Sequence, residues 1–199
     1  MILSEQELVR RKAKEELEKL GINPYPAERY EVSTSTGKIK ADFDKDPEAF
    51  KSISLAGRLM SRRIMGSASF AELQDAEGRL QVYFRRDDLC SGEDKTLYNT
   101  VFKRLLDIGD IIGVKGFVFK TQTGEISIHV QEFTLLSKSL KPLPLPKTDK
   151  DGVVHDAFTD PEMRYRQRYA DLVVNPHIRY VFIKRCKLVN CMREYLNER

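Results

Sequence analysis

A phenyl ring and a carboxamide in the middle of the chain could together hold a flat, polar ligand. Around them apolar and polar residues alternate, and alternate side chains of a β-strand face opposite sides of its sheet. If Ala71 and Leu73 face the interior, Phe70 faces outward among polar neighbours, and Gln81 faces outward on the next strand. An outward aromatic ring can stack on a nucleic-acid base, and a carboxamide beside it can donate and accept hydrogen bonds at the base edge. The alternative is that Phe70 packs beneath the N-terminal segment or a loop, as large apolar side chains often do.

Charged residues are distributed unevenly near this pair. Arg58, Arg62 and Arg63 stand between residues 53 and 71 without any acidic residue, so this segment predicts a basic strip that suits a phosphate backbone. Glu125, beside a predicted turn, would repel a phosphate. We therefore expect its carboxylate to accept a hydrogen bond from a base amino or imino group, or to pair with an arginine.

Residues arranged for covalent or metal chemistry are not found in the sequence. The three histidines are scattered, no serine or cysteine stands in a nucleophile motif, and neither a Walker A nor a G-x-G-x-x-G pattern is present. The three cysteines lack C-x-x-C spacing and have no histidine at metal-ligand spacing. We therefore expect no catalytic residue, no metal site and no bound cofactor within these 199 residues.

Five stretches have the alternation of β-strands, and one has the spacing of a helix. The predicted strands cover residues 53–64, 69–74, 79–84, 111–121 and 125–136, and the helix covers residues 96–106. Gly57 is expected to form a bulge, and residues 122–124 a hairpin turn. Three strands, a helix and two strands are the element order of an OB-fold, a five-stranded Greek-key barrel that binds oligonucleotides or oligosaccharides. The predicted fold is therefore mainly β with flanking helices.

The segments on either side of the predicted barrel are expected to be helical or extended. A first helix begins at a capping box formed by Ser4 and Glu7, and its basic residues, Arg10 among them, are expected to face solvent rather than RNA. The flanking elements are helices at residues 5–20, 47–51, 164–172 and 177–199, a proline-rich extended linker at 141–146 and a turn-rich stretch at 149–152. The predicted domains are residues 1–52 (helix and connector), 53–137 (barrel) and 138–199 (linker and helices). Residues 148–158 are assigned no role.

The composition limits the classes of protein to which the chain can belong. The 199 residues include 34 Lys and Arg against 30 Asp and Glu, for a net charge of +4, and the mean hydropathy is −0.46. No apolar run approaches the roughly 20 residues that span a bilayer, and the N-terminus lacks the apolar core of a secretory signal. We therefore expect a cytoplasmic protein with no membrane partner. The predicted barrel holds 11 basic and 11 acidic residues, so net charge alone does not indicate nucleic-acid binding.

Several blocks of the sequence are similar to those of one known family. The blocks are residues 21–26, 57–66, 69–75, 79–81, 120–125, 141–144 and 164–172. Over nearly the whole chain they resemble the N-terminal part of bacterial-type class II lysyl-tRNA synthetases. Phe70 and Gln81 are shared with the aspartyl and asparaginyl enzymes, whereas residues 23–26 and 164–169 point to lysine.

This resemblance implies a function for the barrel and roles for six of its residues. In the family the N-terminal OB domain binds the tRNA anticodon. By resemblance, the anticodon-binding candidates are Phe70, Gln81, Arg63, Glu125, Arg58 and His129. Phe70 would stack on an anticodon base, and Glu125 would contact a neighbouring base. Gln81 and Arg63 would read or orient the central uridine.

The resemblance also implies what the parent enzyme does. In the family a C-terminal domain attaches lysine to tRNA with ATP and Mg²⁺. The helix at residues 177–199 resembles the start of motif 1, which belongs to a homodimer interface, whereas the ATP-binding arginines of motifs 2 and 3 have no counterpart here. We therefore expect this chain to bind tRNA without charging it, and to be part of a homodimeric ligase that uses ATP and Mg²⁺.

Two other functions are compatible with the same residues. One is the anticodon domain of an aspartyl- or asparaginyl-tRNA synthetase, which a change of anticodon would distinguish. The other is a free-standing OB module that binds single strands or another protein. The equal numbers of basic and acidic residues in the barrel disfavour nonspecific strand binding, because that mode depends on neutralising many phosphates.

Overall fold

A computed structural model describes residues 3–148, 154–155 and 158–199 of the chain. The chain separates into two compact units, Met1–Pro142 and Leu143–Arg199. The first contains a closed five-stranded β-barrel preceded by a helix, and the second contains the C-terminal helices. The predicted fold class is therefore confirmed.

The barrel has the strand order of an OB-fold. Its strands are β1 Ile53–Met65, β2 Ala68–Gln74, β3 Arg79–Arg85, β4 Ile111–Lys120 and β5 Ile126–Ser137. They follow the order β1-β2-β3-β5-β4, and β4 closes back onto β1. The pair β3 and β5 is parallel, and the other pairs are antiparallel. This order places β3 beside β5, so that Gln81 pairs with Ser127, which lies 46 residues later in the sequence.

The two faces of β2 and β3 follow the predicted alternation with one exception. Ala71 and Leu73 are buried in the core, whereas Phe70 and Gln81 are partly exposed. The exception is Gln74: the alternation that turns Phe70 outward also predicts an outward Gln74, but this side chain is only 8% exposed. Its Oε1 accepts a hydrogen bond from Arg79 Nε at 2.8 Å, and this partner compensates the burial of the amide oxygen.

The irregularity of β1 lies at Met60 rather than at Gly57. The pairing with β2 shifts between Leu59 and Ser61, so Met60 is the extra residue of a bulge. Gly57 keeps regular pairing with β4. A Cβ at Gly57 would lie 3.1 Å from the carbonyl oxygen of Gln74, so the glycine permits a close crossing of strands.

The helix between β3 and β4 is a π-helix, Leu97–Leu105, where an ordinary helical spacing is predicted. Within it, the rings of Tyr98 and Phe102 are 5.6 Å apart and within 15° of parallel. The Phe102 ring lies 4.2 Å from that of Phe84 in the barrel core. These ring contacts connect the π-helix to the barrel core.

The first helix, α1 Glu5–Lys19, begins at the predicted capping box, in which Glu7 Oε2 accepts from Ser4 N at 2.9 Å. Arg10 is expected to face solvent, but it is only 8% exposed. Its guanidinium donates to the main-chain carbonyl of Ile108, before β4, and to that of Ser139, after β5. Arg10 therefore packs against the barrel instead of facing solvent. The helical spacing could not reveal this, because the carbonyl acceptors lie about 100 residues or more away in the sequence.

A buried ion pair lies where the chain leaves the barrel. Lys138 Nζ is 2.9 Å from Asp110 Oδ2, and neither side chain has exposed surface. Asp110 Oδ1 also accepts from Ser139 N at 2.7 Å, and Lys138 donates to the carbonyl of Leu105 at 2.7 Å. Burial raises the pKa of Asp110 above its ordinary value, and the Lys138 ammonium opposes this in part. This network joins the loop before β4 to the chain after β5.

The connector between α1 and β1 packs against the barrel. It contains α2, Thr36–Asp42, which is not among the predicted elements, and a 3-10 helix, Pro47–Phe50, close to the predicted short helix. Ile39 of α2 and Phe50 of the 3-10 helix are buried in the same core as the barrel residues. The connector is therefore a structural part of the first unit.

The described part of the second unit contains helices and a pair of short antiparallel strands. Its elements are β6 Lys147–Thr148, β7 Val154–His155, α4 Pro161–Arg166, α5 Arg168–Val174 and α6 Pro176–Asn197. The single helix predicted at residues 164–172 is interrupted at Gln167, whose φ of −118° and ψ of 51° are not helical. The break lets Arg164 and Asn175 both donate to the buried Asp171, at 3.0 and 2.7 Å. The turn predicted at residues 149–152 lies outside the described residues.

The last helix, α6, matches the predicted helix closely and exposes apolar side chains. Val181, Met192 and Leu196 are 58%, 58% and 69% exposed. Across the described residues, no helix combines the length and the apolar character needed to cross a bilayer.

Candidate nucleic-acid interface

Phe70 forms an aromatic platform on the outer face of the barrel. On β2 it pairs with Tyr83 of β3 and with Arg63 of β1. The Phe70 and Tyr83 rings are 5.1 Å apart, and the Arg63 guanidinium lies 5.7 Å from the centre of the Phe70 ring. The half-buried Phe70 borders two open clefts instead of packing beneath the connector. This arrangement favours the ligand-facing alternative for Phe70.

Two clefts meet at this platform. The polar cleft has a volume of about 350 Å³ and is lined by Lys40, Ser61, Arg62, Arg63, Phe70, Ala71, Glu72, Arg79, Gln81 and Glu125. The aromatic cleft has a volume of about 460 Å³ and is lined by Arg63, Phe70, Gln81, Tyr83, Phe119, Thr121, Gln122 and Thr123. Arg63, Phe70 and Gln81 line both clefts, and Glu125 lines the polar cleft. The structure thus brings four of the six predicted site residues together.

Gln81 presents an oriented hydrogen-bonding face to both clefts. Its Oε1 accepts a hydrogen bond from Ser127 Oγ of β5 at 2.8 Å, and Ser127 has no exposed surface. Gln81 Nε2 makes no hydrogen bond to any residue that the structure describes, so its two hydrogens can be donated to a ligand. Such a donor pair suits a keto oxygen, as on uracil, better than an exocyclic amino group.

Glu125 places an exposed carboxylate at the rim of the polar cleft. Its backbone N donates to Thr121 Oγ1 at 3.0 Å within the β4–β5 hairpin, where Gly124 has a φ of +84°. Within the described ranges, the Glu125 carboxylate has no hydrogen bond or ion pair, so it is not paired with an arginine. It is therefore available to accept from a base amino or imino group.

Two of the three arginines in the predicted basic strip are held by main-chain carbonyls. Arg58 donates to the carbonyl of Gly109 at 2.7 Å, and Arg62 donates to the carbonyl of Phe102. Burial lowers the pKa of both guanidinium groups below the ordinary arginine value. Arg63 is exposed. Arg58 lines neither cleft, because its hydrogen bond directs it to the loop before β4.

His129 lies behind the platform and does not line either cleft. Its ring is 5.2 Å from Tyr83 and is stacked on Phe117 at 4.8 Å. Its Nε2 is 2.7 Å from Asp88 Oδ2, in the short helix α3, Arg86–Leu89. His129 therefore supports the aromatic cluster, and its Nε2 is already hydrogen-bonded.

Several residues that line the clefts are not among the predicted candidates, and Tyr83, Phe119 and Lys40 are of interest. Tyr83 and Phe119 continue the aromatic surface from Phe70, with their rings 6.0 Å apart. Strand alternation could have found them, because both occupy outward positions next to buried residues. Lys40 reaches the polar cleft from α2, and the sequence carries no signal that this connector residue lies near Gln81.

The chain is similar to known nucleic-acid-binding proteins. Residues 53–136 match the tRNA_anti-codon family, an OB-fold nucleic acid binding domain. Over 197 residues the chain is 60% identical to the lysine-tRNA ligase of Porphyromonas gingivalis (strain ATCC BAA-308 / W83) and 59% identical to that of Christiangramia forsetii. It is 56% identical to the lysine-tRNA ligase of Azobacteroides pseudotrichonymphae. These alignments cover 98% or 99% of this chain but 34% to 39% of each relative, so the chain spans about a third of the length of the curated relatives it matches.

Proposed function

Because this chain is similar to lysine-tRNA ligases over nearly its whole length and residues 53–136 match an OB-fold nucleic acid binding domain, we propose that it binds the anticodon loop of lysine tRNA and reads its central uridine. Anticodon binding by an aspartyl- or asparaginyl-type domain is less well supported, since the high-identity relatives are lysine-tRNA ligases.

The observation that carries this proposal is the convergence of Phe70, Gln81 and Arg63 on both clefts. A base that stacks on Phe70 places its edge beside Gln81, whose free amide hydrogens suit the keto oxygens of uracil. Arg63, over the Phe70 ring, limits where the base can lie. Glu125 can accept from a second base at the rim.

The charge of the polar cleft favours recognition of bases over nonspecific binding to phosphates. Its lining includes four cations and two carboxylates, and one cation, Arg79, is paired with Glu72 at 3.2 Å. Nonspecific strand binding requires several phosphate contacts and a steep dependence on salt. With few unpaired cations, binding must gain affinity from stacking and from hydrogen bonds to base edges.

A titration of the full chain with anticodon stem-loop RNAs tests this proposal. Four RNAs that differ only in the central base are compared by fluorescence anisotropy, and we expect the uridine RNA to bind tightest. Phe70→Ala should weaken its binding by about 1–3 kcal/mol, roughly 5- to 150-fold, because the base loses its stacking partner. Phe117→Ala is the matched control, since Phe117 is also half-buried but lines neither cleft.

Equal affinity for all four RNAs would contradict uridine recognition. An equal loss of affinity for Phe70→Ala and Phe117→Ala, with both variants folded, would contradict the assignment of Phe70 as the stacking platform. Tightest binding to an RNA with another central base would favour a different tRNA as the ligand.

A second proposal concerns a protein with the full length of these relatives. We infer that this protein attaches lysine to tRNA, because its relatives are named lysine-tRNA ligases. By the resemblance described above, it would do so in the cytoplasm with ATP and Mg²⁺. The ATP-binding arginines of motifs 2 and 3 have no counterpart in this chain. The 199-residue chain alone, given lysine, ATP, Mg²⁺ and tRNA, should therefore form no lysyl-tRNA. The exposed apolar side chains of α6 support a homodimer through that region, which light scattering of the complete protein would detect.

A further inference from the structure

The start of α2 is fastened to the turn between β2 and β3. Asp75 accepts hydrogen bonds from Thr36 N at 2.7 Å and Thr36 Oγ1 at 2.6 Å, and Ser35 Oγ donates to Glu77 Oε2 at 2.5 Å. Burial disfavours the charged form of Asp75, but the hydrogen bonds from Thr36 and the turn amides outweigh it and lower the pKa of Asp75. Asp75 is therefore ionised at neutral pH and holds the first turn of α2 in place.

The other end of α2 is held near the β4–β5 hairpin. Asp44, just beyond the helix, pairs with Lys120 at 2.6 Å. Ile39 and Phe43 are buried, at 0% and 8% exposure. An exposed ion pair contributes little free energy, so the buried apolar contacts are what hold the helix. As a result α2 forms a fixed wall of the polar cleft.

The cations of the polar cleft differ in what they already contact. Arg79 is paired with Glu72, and Arg62 donates to a main-chain carbonyl. Arg63 lies over the ring of Phe70. Lys40, by contrast, is exposed and has no hydrogen bond or ion pair with the parts of the chain that the structure describes. Among the cations that line the polar cleft in the described structure, Lys40 is therefore the one whose charged group has neither a hydrogen-bond acceptor nor an aromatic ring beside it.

We propose that Lys40 binds a backbone phosphate of the nucleotide whose base stacks on Phe70. Phe70, Gln81 and Lys40 line the same cleft, so a base that stacks on Phe70 with its edge at Gln81 brings its sugar and phosphate close to Lys40. Lys40 stands on the wall formed by α2, and a compact ammonium is suited to a phosphate as a point charge. The inference rests on the proposed RNA-binding function and assigns a part of it to the N-terminal connector.

The test is a salt titration of Lys40→Ala, with Lys38→Ala as the matched control. Both lysines are exposed on α2 and both substitutions remove one positive charge, but Lys38 does not line the cleft. A single-strand phosphate contact contributes about 0.7 to the slope of log affinity against log salt. Lys40→Ala should therefore weaken binding about 8-fold at about 50 mM KCl and about 3-fold at about 200 mM KCl, whatever the central base.

Two results would overturn the inference while the wild-type chain still binds the uridine stem-loop. One is a Lys40→Ala affinity and salt slope equal to those of Lys38→Ala. The other is a loss of affinity that depends on the central base, which would mean that Lys40 reads the base. If the wild-type chain binds none of the stem-loops, the proposed function fails instead. Thermal unfolding of both variants verifies that each is folded, as their exposure predicts.

Discussion

Replacing Ser127 with alanine should reduce the preference of the barrel for uridine over cytidine while leaving the fold intact. Ser127 Oγ donates to Gln81 Oε1 at 2.8 Å, which leaves the Gln81 amide hydrogens facing the clefts. The other acceptor near this hydroxyl is the carbonyl of Glu125, at 3.4 Å, so the proton favours Gln81. Without the hydroxyl, the amide can turn over and present its oxygen to the base.

The size of the effect follows from this one contact. A neutral hydrogen bond contributes about 0.5–1.5 kcal/mol, which corresponds to a bias of roughly 2- to 13-fold between the two amide orientations. The ratio of the dissociation constants for cytidine and uridine stem-loops should fall by about this factor. The change removes one buried hydroxyl whose partner is partly exposed, so the free energy of unfolding should change by less than about 1.5 kcal/mol.

The assay compares two anticodon stem-loops, identical except for central uridine or cytidine, at one salt concentration. Gln81→Glu is the companion variant. A carboxylate accepts hydrogen bonds but cannot donate them, so one oxygen would accept from Ser127 and the other would face the base. We expect this variant to prefer the cytidine amino group, and to bind both RNAs more weakly because it adds a negative charge beside the phosphates.

If Gln81→Glu kept the wild-type preference for uridine, Gln81 would not contact the base edge, and the role proposed for Gln81 and Ser127 would be wrong. A preference that survives in Ser127→Ala but is lost in Gln81→Glu would show that Gln81 reads the base without help from Ser127.

Three predictions concern the scaffold. Lys138→Met should destabilise the chain by about 3–5 kcal/mol at pH 8 in urea unfolding, because Asp110 is left buried without its cation. Burial raises the pKa of Asp110, so the loss should become smaller as the pH is lowered and Asp110 protonates; a loss that does not change with pH would contradict this account. Asp75 has a lowered pKa, so its stabilisation is complete above its ordinary value of 3.8 and is lost as the pH falls through the lower one. Asp75→Asn should therefore destabilise the chain at about pH 6, and by progressively less as the pH falls below 3.8; a pH-independent cost would count against the Thr36 contact. Gly116→Ala should lower the free energy of unfolding by at least about 1–3 kcal/mol, because its Cβ would lie 1.9 Å from the carbonyl oxygen of His129. Gly92→Ala, with open space around its Cβ, should lower it by less than about 1 kcal/mol.

The alternation of the strands was sufficient to place Phe70 and Gln81 on the outer face of the barrel. A strand has a period of two residues, so the burial of Ala71 and Leu73 determines where their neighbours point. The same local rules predicted the helix–strand order, the capping box of α1 and the OB-fold. The errors at Gln74 and at the bulge of β1 have other causes: Gln74 is hydrogen-bonded to Arg79 of the next strand, and the bulge is a shift in the pairing of β1 with β2 that the alternation does not reveal.

What depended on the tertiary structure was the availability of each polar group. Arg58, Arg62 and Arg63 look alike in the sequence. Main-chain carbonyls from a later loop and from the π-helix accept hydrogen bonds from Arg58 and Arg62, whereas Arg63 stays exposed. Ser127, which orients Gln81, lies 46 residues after Gln81 in the sequence. Lys40, which lines the same cleft, lies 41 residues before Gln81. Hydrogen bonds and burial depend on atoms that folding brings together, whereas strand periodicity depends on the geometry of adjacent residues. Local sequence therefore determined which side chains face outward, and the packing of distant segments determined which of them are free to bind.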